Sequence, residues 1–124
     1  MTERPLVLVA DDDADILTLV RLRLERGGFE VVEARDGEEA LRLAQERLPQ
    51  LVVLDISMPG LDGLEVVRRL RADEATAGIR LVLLTARAQE ADVARGFDAG
   101  ADAYVRKPFS PAELLDRVRE LVAP

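Results

Sequence analysis

The sequence predicts an α/β domain, a doubly wound sheet of five parallel strands with five helices packed on both faces. Two observations carry this. Short apolar runs alternate along the chain with stretches whose apolar residues recur at helical spacing, the pattern that yields parallel strands joined by helical crossovers. The third run, Leu51-Val52-Val53-Leu54, is apolar without a break, as a strand buried on both faces must be. Right-handed crossovers then put helices above and below the sheet.

The elements follow in order. Leu6 to Ala10 is the first strand, and Asp11-Asp12-Asp13 follows it. Asp13 is the expected N-cap of a first helix, with Asp15 as a first-turn acid favoured by the helix dipole. The stripe of that helix is Ile16, Leu19, Val20 and Leu24, and Gly27-Gly28 stops it. Glu30 to Ala34 is a second strand through Val31 and Val32. Asp36 and Glu39 have capping-box spacing ahead of a second helix with Ala40, Leu41 and Ala44, and Pro49 ends the connection to the third strand.

That strand ends abruptly in Asp55, and Ser57-Met58-Pro59-Gly60 forms the loop after it. Asp62 and Glu65 repeat the capping spacing for a third helix with Val66, Val67 and Leu70. Leu81 to Leu84 is the fourth strand and ends in Thr85. The fourth helix, about 89 to 98, is poor in apolar residues, with Val93, Ala94 and Phe97 as its only stripe, and Gly100 breaks it. Ala103 to Arg106 is the fifth strand, followed by Lys107-Pro108. Ser110-Pro111-Ala112-Glu113 supplies an N-cap, a first-turn proline and a capping-box acid for the last helix. With 124 residues and no repeat or linker, residues 1–124 are expected to form a single domain.

Composition narrows the chemistry. There is no cysteine and no histidine, which removes disulfides, thiol chemistry, Ser-His catalysis and most zinc sites. Net charge is −7, which argues against nucleic-acid binding by the domain itself. No apolar stretch is long enough to span a bilayer and residues 1–5 do not resemble a signal peptide, so neither a membrane nor export is expected and the location is read as cytoplasmic.

In a parallel sheet every strand's carboxyl end lies on one edge, where ligands collect in open α/β folds. Asp11 and Asp12, Asp55, Thr85 and Lys107 should therefore meet. Three crowded carboxylates repel one another, and one ammonium cannot neutralise them. A hard divalent cation such as Mg²⁺ can, and Asp55 is then free to act as a nucleophile toward phosphorus, with Lys107 and Thr85 on the transferring oxygens.

On those residues the chain resembles the receiver domains of bacterial two-component response regulators, which have a CheY-like, flavodoxin-like fold. The matching stretches are Val7 to Asp13, Leu54 to Gly63, Leu83 to Ala86 and Gly100 to Phe109, so the resemblance runs through nearly the whole chain. It implies the strand order 2-1-3-4-5 and Asp55 as phosphorylation site. It implies Mg²⁺ or Mn²⁺ held by Asp12, by Asp11 directly or through water, by Asp55 and by the backbone carbonyl of Ser57. Lys107 would pair with Asp55 and then with the phosphoryl group, with the Lys107-Pro108 peptide cis. The donor would be a phosphohistidine on a sensor kinase or a histidine phosphotransfer protein, and the recipient of the signal an output protein or domain.

The resemblance also implies a switch. Thr85 would move toward the phosphoryl oxygens, Tyr104 would fill the space it leaves, and the face formed by the fourth helix, fifth strand and fifth helix would change. Ser57 and Arg87 would border the path of the hydrolytic water, with Arg87 prolonging the mark. Of the charges that pair across that face in regulators that dimerise through it, Asp102, Glu113 and Arg117 match, while Val93 and Ala103 depart. Three rival classes fit less well. A haloacid-dehalogenase-type phosphatase would want an aspartate where Ser57 stands. A nucleotide- or flavin-binding domain would want a glycine-rich loop where Asp11 to Asp13 stand. A degenerate receiver used only for binding would have no need of the complete set.

Overall fold

The structure, a computed structural model, describes residues 4–86 and 90–122; within it, side chains at 90–93 are not described. Arg87 lies outside the described residues. The elements alternate strictly: β1 (Leu6–Ala10), α1 (Ala14–Arg26), β2 (Glu30–Ala34), α2 (Gly37–Arg47), β3 (Leu51–Asp55), α3 (Gly63–Ala72), β4 (Arg80–Thr85), α4 (Glu90–Ala99), β5 (Ala103–Arg106) and α5 (Pro111–Val122). The strands form one parallel sheet in the order β2-β1-β3-β4-β5, as expected. The central strand β3 is buried from Leu51 through Asp55.

Alternation along the strands divides the core in two. Val7, Val9, Leu51, Val53, Val82 and Leu84 face α1 and α5, and meet Leu17, Val20, Leu24, Leu114 and Val118. Leu8, Val52, Leu54, Leu81 and Leu83 face the other way, toward Ala40, Ala44, Val66, Val67 and Leu70. The sheet order reverses between β1 and β3. Loops leaving those two strands diverge, and that divergence opens a crevice at their carboxyl ends.

Local chemistry sets the helix starts. Asp13 accepts hydrogen bonds from the Asp15 and Ile16 amides, Asp36 from Glu39, Asp62 from Glu65 and Ser110 from Glu113. Two stripes differ from expectation. In α1 the buried positions are Leu17, Val20 and Leu24, whereas Leu19 is 57% exposed and Ile16 half-buried. In α4, Ala94 and Phe97 are exposed and Gly96 is buried. A β carbon at Gly96 would lie 2.5 Å from Leu83 Cδ1, so the helix backbone itself approaches the sheet. Phe97 is thereby turned outward, where its ring meets Tyr104 edge-on at 5.6 Å.

At the amino end of the sheet one arginine joins three segments, the end of α3 and the loops that precede β4 and β5. Arg71 donates to the carbonyls of Gly100, Ala77 and Ile79, and pairs with Asp102 at 2.9 Å. The same Asp102 oxygen accepts from the Leu81 amide, so this carboxylate is engaged within the chain.

Candidate functional site

The crevice at the switch point holds the residues that the sequence singled out. Asp11 and Asp12 follow β1, Asp55 ends β3, and one carboxylate oxygen of each lies within 4.8 Å of the others. Asp11 and Asp55 are buried and Asp12 is exposed, so the cluster opens to solvent on one side. Lys107, just beyond β5, reaches back across β4. Its Nζ lies 3.0 Å from Asp11 Oδ2 and 3.1 Å from Asp55 Oδ2. The peptide after it, Lys107-Pro108, is cis.

Backbone contacts fix these positions. The Asp11 amide donates to the Ala34 carbonyl at the end of β2, and Asp11 Oδ1 accepts from the Asp13 amide. Asp55 Oδ1 accepts from the Ser57 amide at 3.2 Å. The Lys107 amide donates to the Thr85 carbonyl at 2.7 Å. The Gly63 amide donates to the Ile56 carbonyl, which closes the loop from β3 to α3. A β carbon at Gly63 would lie 2.5 Å from the Asp55 carbonyl oxygen, so only glycine lets α3 start this close to the acidic strand end.

The remaining predicted residues have definite places. Thr85 ends β4, buried, and its hydroxyl donates to the Ala86 carbonyl. Ser57 is exposed in the loop after β3. Tyr104 is half-buried on β5 and packs against Phe97 and the core on the α3 side. Met58 is buried and Phe109 packs against the core, both as packing residues.

The electrostatics are unbalanced. Burial pushes the Asp55 carboxyl up from 3.8 to about 6, and the Asp11 charge adds to the rise, while Lys107 and the Ser57 amide hold it back. Burial works against the Lys107 ammonium, but contact with Asp11 and Asp55 outweighs it, and the proton is held more tightly than at the usual 10.5. Asp11 Oδ2 is buried, and the Lys107 ammonium is its one close partner among the described residues. Three carboxylates against one ammonium leave a surplus of negative charge, which suits a small cation. Two ligands on opposite sides of one Mg²⁺ stand ~4.2 Å apart, close to the spread of these oxygens. The acidic cluster can thus hold a metal ion.

A doubly wound domain with this set at its switch point is built to accept and hold a phosphoryl group. The chain belongs to the response regulator receiver domain family, whose model matches residues 7–119. Domains of this family are phosphorylation-activated switches of two-component signalling. Among curated relatives, the alkaline phosphatase synthesis transcriptional regulatory protein PhoP of Bacillus subtilis is 45% identical over 94% of this chain and 48% of its own length. RpaA of Synechocystis, a DNA-binding dual master transcriptional regulator, is 46% identical over 95% of this chain and 49% of its own. The chain spans about half the length of the curated relatives it matches. Among solved structures, the receiver domain of the Francisella response regulator 1452 is similar with a TM-score of 0.88 at 35% identity, covering 96% of this chain and 97% of that one. The receiver domain of the sensor histidine kinase PA1611 of Pseudomonas aeruginosa, solved with magnesium in its active-site cleft, has a TM-score of 0.89 at 28% identity, covering 98% of this chain and all of that one.

Proximity of Asp11, Asp12, Asp55 and Lys107 was readable from the sequence because parallel strands end on one edge. Glu38 was not. Its carboxylate accepts from the Leu61 amide, 23 positions along the chain, and so reaches the loop that follows Asp55. No local spacing signals a contact of that kind.

Proposed function

We propose that Asp55 is the phosphoryl acceptor of a single receiver domain, residues 1–124, and that Asp11, Asp12, Asp55 and the Ser57 carbonyl hold Mg²⁺ or Mn²⁺. The observation that carries this is the placement of Lys107 Nζ between Asp11 and Asp55, at 3.0 and 3.1 Å, beside an oxygen cluster of metal-binding size. The bound cation supplies charge neutralisation, which lets the three carboxylates stay ionised together and screens the incoming phosphoryl oxygens.

The chain's own groups do the rest. Asp55 presents a carboxylate oxygen at the floor of the crevice. That oxygen attacks the phosphorus of a phosphohistidine on a partner kinase or phosphotransfer protein. A P–O bond forms, the P–N bond breaks, and the imidazole leaves. Lys107 then exchanges its contact with Asp55 for a phosphoryl oxygen, and Thr85 turns its hydroxyl from Ala86 toward another. Tyr104 follows into the vacated space, and the face built by α4, β5 and α5 changes. Phosphorylation adds nearly two negative charges at one point, enough to bias such a two-state element.

Reversal is hydrolysis. Water attacks the phosphorus, the bond to Asp55 breaks, and inorganic phosphate leaves. Ser57 stands beside that path, and the rate is expected to depend on Arg87, which lies outside the described residues. The protein turns over nothing but its own phosphoryl group. It acts in the cytoplasm on a separate output protein or an attached output domain, and does not itself bind nucleic acid or membrane. Its net charge of −7 supports the former. No helix among the described residues is long and apolar enough to cross a membrane.

The test is intact mass after treatment with acetyl phosphate and Mg²⁺. The parent should gain one phosphoryl group and Asp55→Asn none. A variant that gained the same mass as the parent would overturn the assignment.

A further inference from the structure

Three acids open α2, and two of them serve the helix itself. Asp36 caps it, and Glu39 Oε1 accepts from the Arg35 amide at 2.8 Å. Glu38 does neither. Its Oε1 accepts from the Leu61 amide at 3.1 Å, in the loop between Asp55 and α3. Among the described residues, that is the hydrogen bond tying the Met58-to-Leu61 stretch to a different element.

The backbone on both sides is cut to fit this contact. Gly60 has φ +74°, and a β carbon there would lie 2.8 Å from Glu38 Oε1 and 2.9 Å from Oε2. A β carbon at Gly37 would lie 1.8 Å from the Leu61 carbonyl oxygen. The start of α2 and the Gly60-Leu61 turn therefore dovetail, with a glycine on each side and the Glu38 carboxylate across the join. The far end of the same loop is fixed by the Gly63 amide on the Ile56 carbonyl. Between these two ties lies Ser57, whose amide holds Asp55 Oδ1 and whose carbonyl faces the metal cluster in the reading above.

We propose that Glu38 is a positioning residue for the acceptor site: by holding the Leu61 amide it sets the loop after β3, and through that loop the Ser57 backbone that serves both Asp55 and the cation. The inference rests on the proposed metal-dependent role of Asp11, Asp12 and Asp55. Glu38 touches neither metal nor phosphoryl group.

The experiment is a Mg²⁺ titration followed by amide NMR at Ser57 and Gly63, with phosphorylation by acetyl phosphate measured in parallel. Glu38→Ala should weaken Mg²⁺ binding roughly three- to tenfold, the net weight of one ordinary, solvent-exposed hydrogen bond. It should slow phosphorylation by a similar factor while the metal-free fold, seen by circular dichroism, stays intact. Glu38→Gln keeps an acceptor oxygen but no charge and should restore most of the affinity. Unchanged Mg²⁺ affinity in Glu38→Ala overturns the proposal, as does a Gln variant as weak as Ala, which would point to charge alone. Asp12→Asn serves as control. If it bound Mg²⁺ like the parent, the reading of the site itself would fall, an outcome distinct from failure at Glu38.

Discussion

At the amino-terminal end of the sheet, Arg71 meets three carbonyls and the Asp102 carboxylate, and Asp102 also receives the Leu81 amide. At the carboxyl-terminal end, Lys107 pairs with Asp11 and Asp55, and a third carboxylate, Asp12, stands beside them with no cation of its own in the cluster among the described residues. Both ends use one cation to join segments far apart in sequence. One end is matched, charge for charge and donor for acceptor. The other is left short of positive charge, so the fold carries unfavourable electrostatics at the place proposed above to receive a cation and a phosphoryl group. Matching makes the first end a fastener, and mismatch makes the second a receptor.

The contrast can be broken from either side. Arg71→Ala should have the largest effect on stability, a loss of about 2–4 kcal/mol in denaturant unfolding, because several partners lose their donor together. Mg²⁺ affinity of the folded variant should stay near the parent's. A variant that instead lost Mg²⁺ binding with unchanged stability would merge the two ends into one functional unit.

Asp55→Asn should act in the opposite direction and stabilise the metal-free protein. The Asp55 carboxyl titrates near 6 in the fold against 3.8 when free, so the folded state binds more protons across that window and loses stability as pH rises through it. Below about pH 3 the carboxyl is neutral in both states and the variant should match the parent. Above about pH 7 the variant should be more stable by on the order of 1–3 kcal/mol, a rise of several degrees in Tm. Equal stabilities at neutral pH would show that the crevice is not electrostatically strained.

The smallest and most gradual effect is on metal affinity. Since the cation needs Asp55 ionised, Mg²⁺ binding to the parent should be flat above pH 7 and weaken by up to about tenfold per unit once pH falls below about 6. Calorimetric titration at several pH values reads this directly. An affinity that did not change down to pH 5 would place the metal away from Asp55.

How much of this was written in the sequence differs between the same regions. The carboxyl-terminal edge was legible because strand direction alone brings Asp11, Asp55, Thr85 and Lys107 together once the strands are known to be parallel. The Arg71 fastener was not, since an arginine near the end of a helix looks like any solvated last-turn base. Helix faces were legible where the stripe was broad, as in α3 with Val66, Val67 and Leu70. They misled where backbone did the packing. Gly96 takes the inward position of α4, and periodicity assigned that role to Ala94 and Phe97 because a glycine has no side chain to count. In α1, Leu19 was expected inside and lies outside because Leu17, Val20 and Leu24 already fill the sheet-facing stripe.

The two strands at the margins of the sheet have a further consequence. β2 carries Glu30 and Glu33, drawn toward Arg47 and Arg21, and β5 is only four residues long. An unpaired margin invites a foreign strand to add itself, and short or charged margins discourage the addition. Both margins of this sheet are thereby guarded against the kind of addition that grows into a fibre.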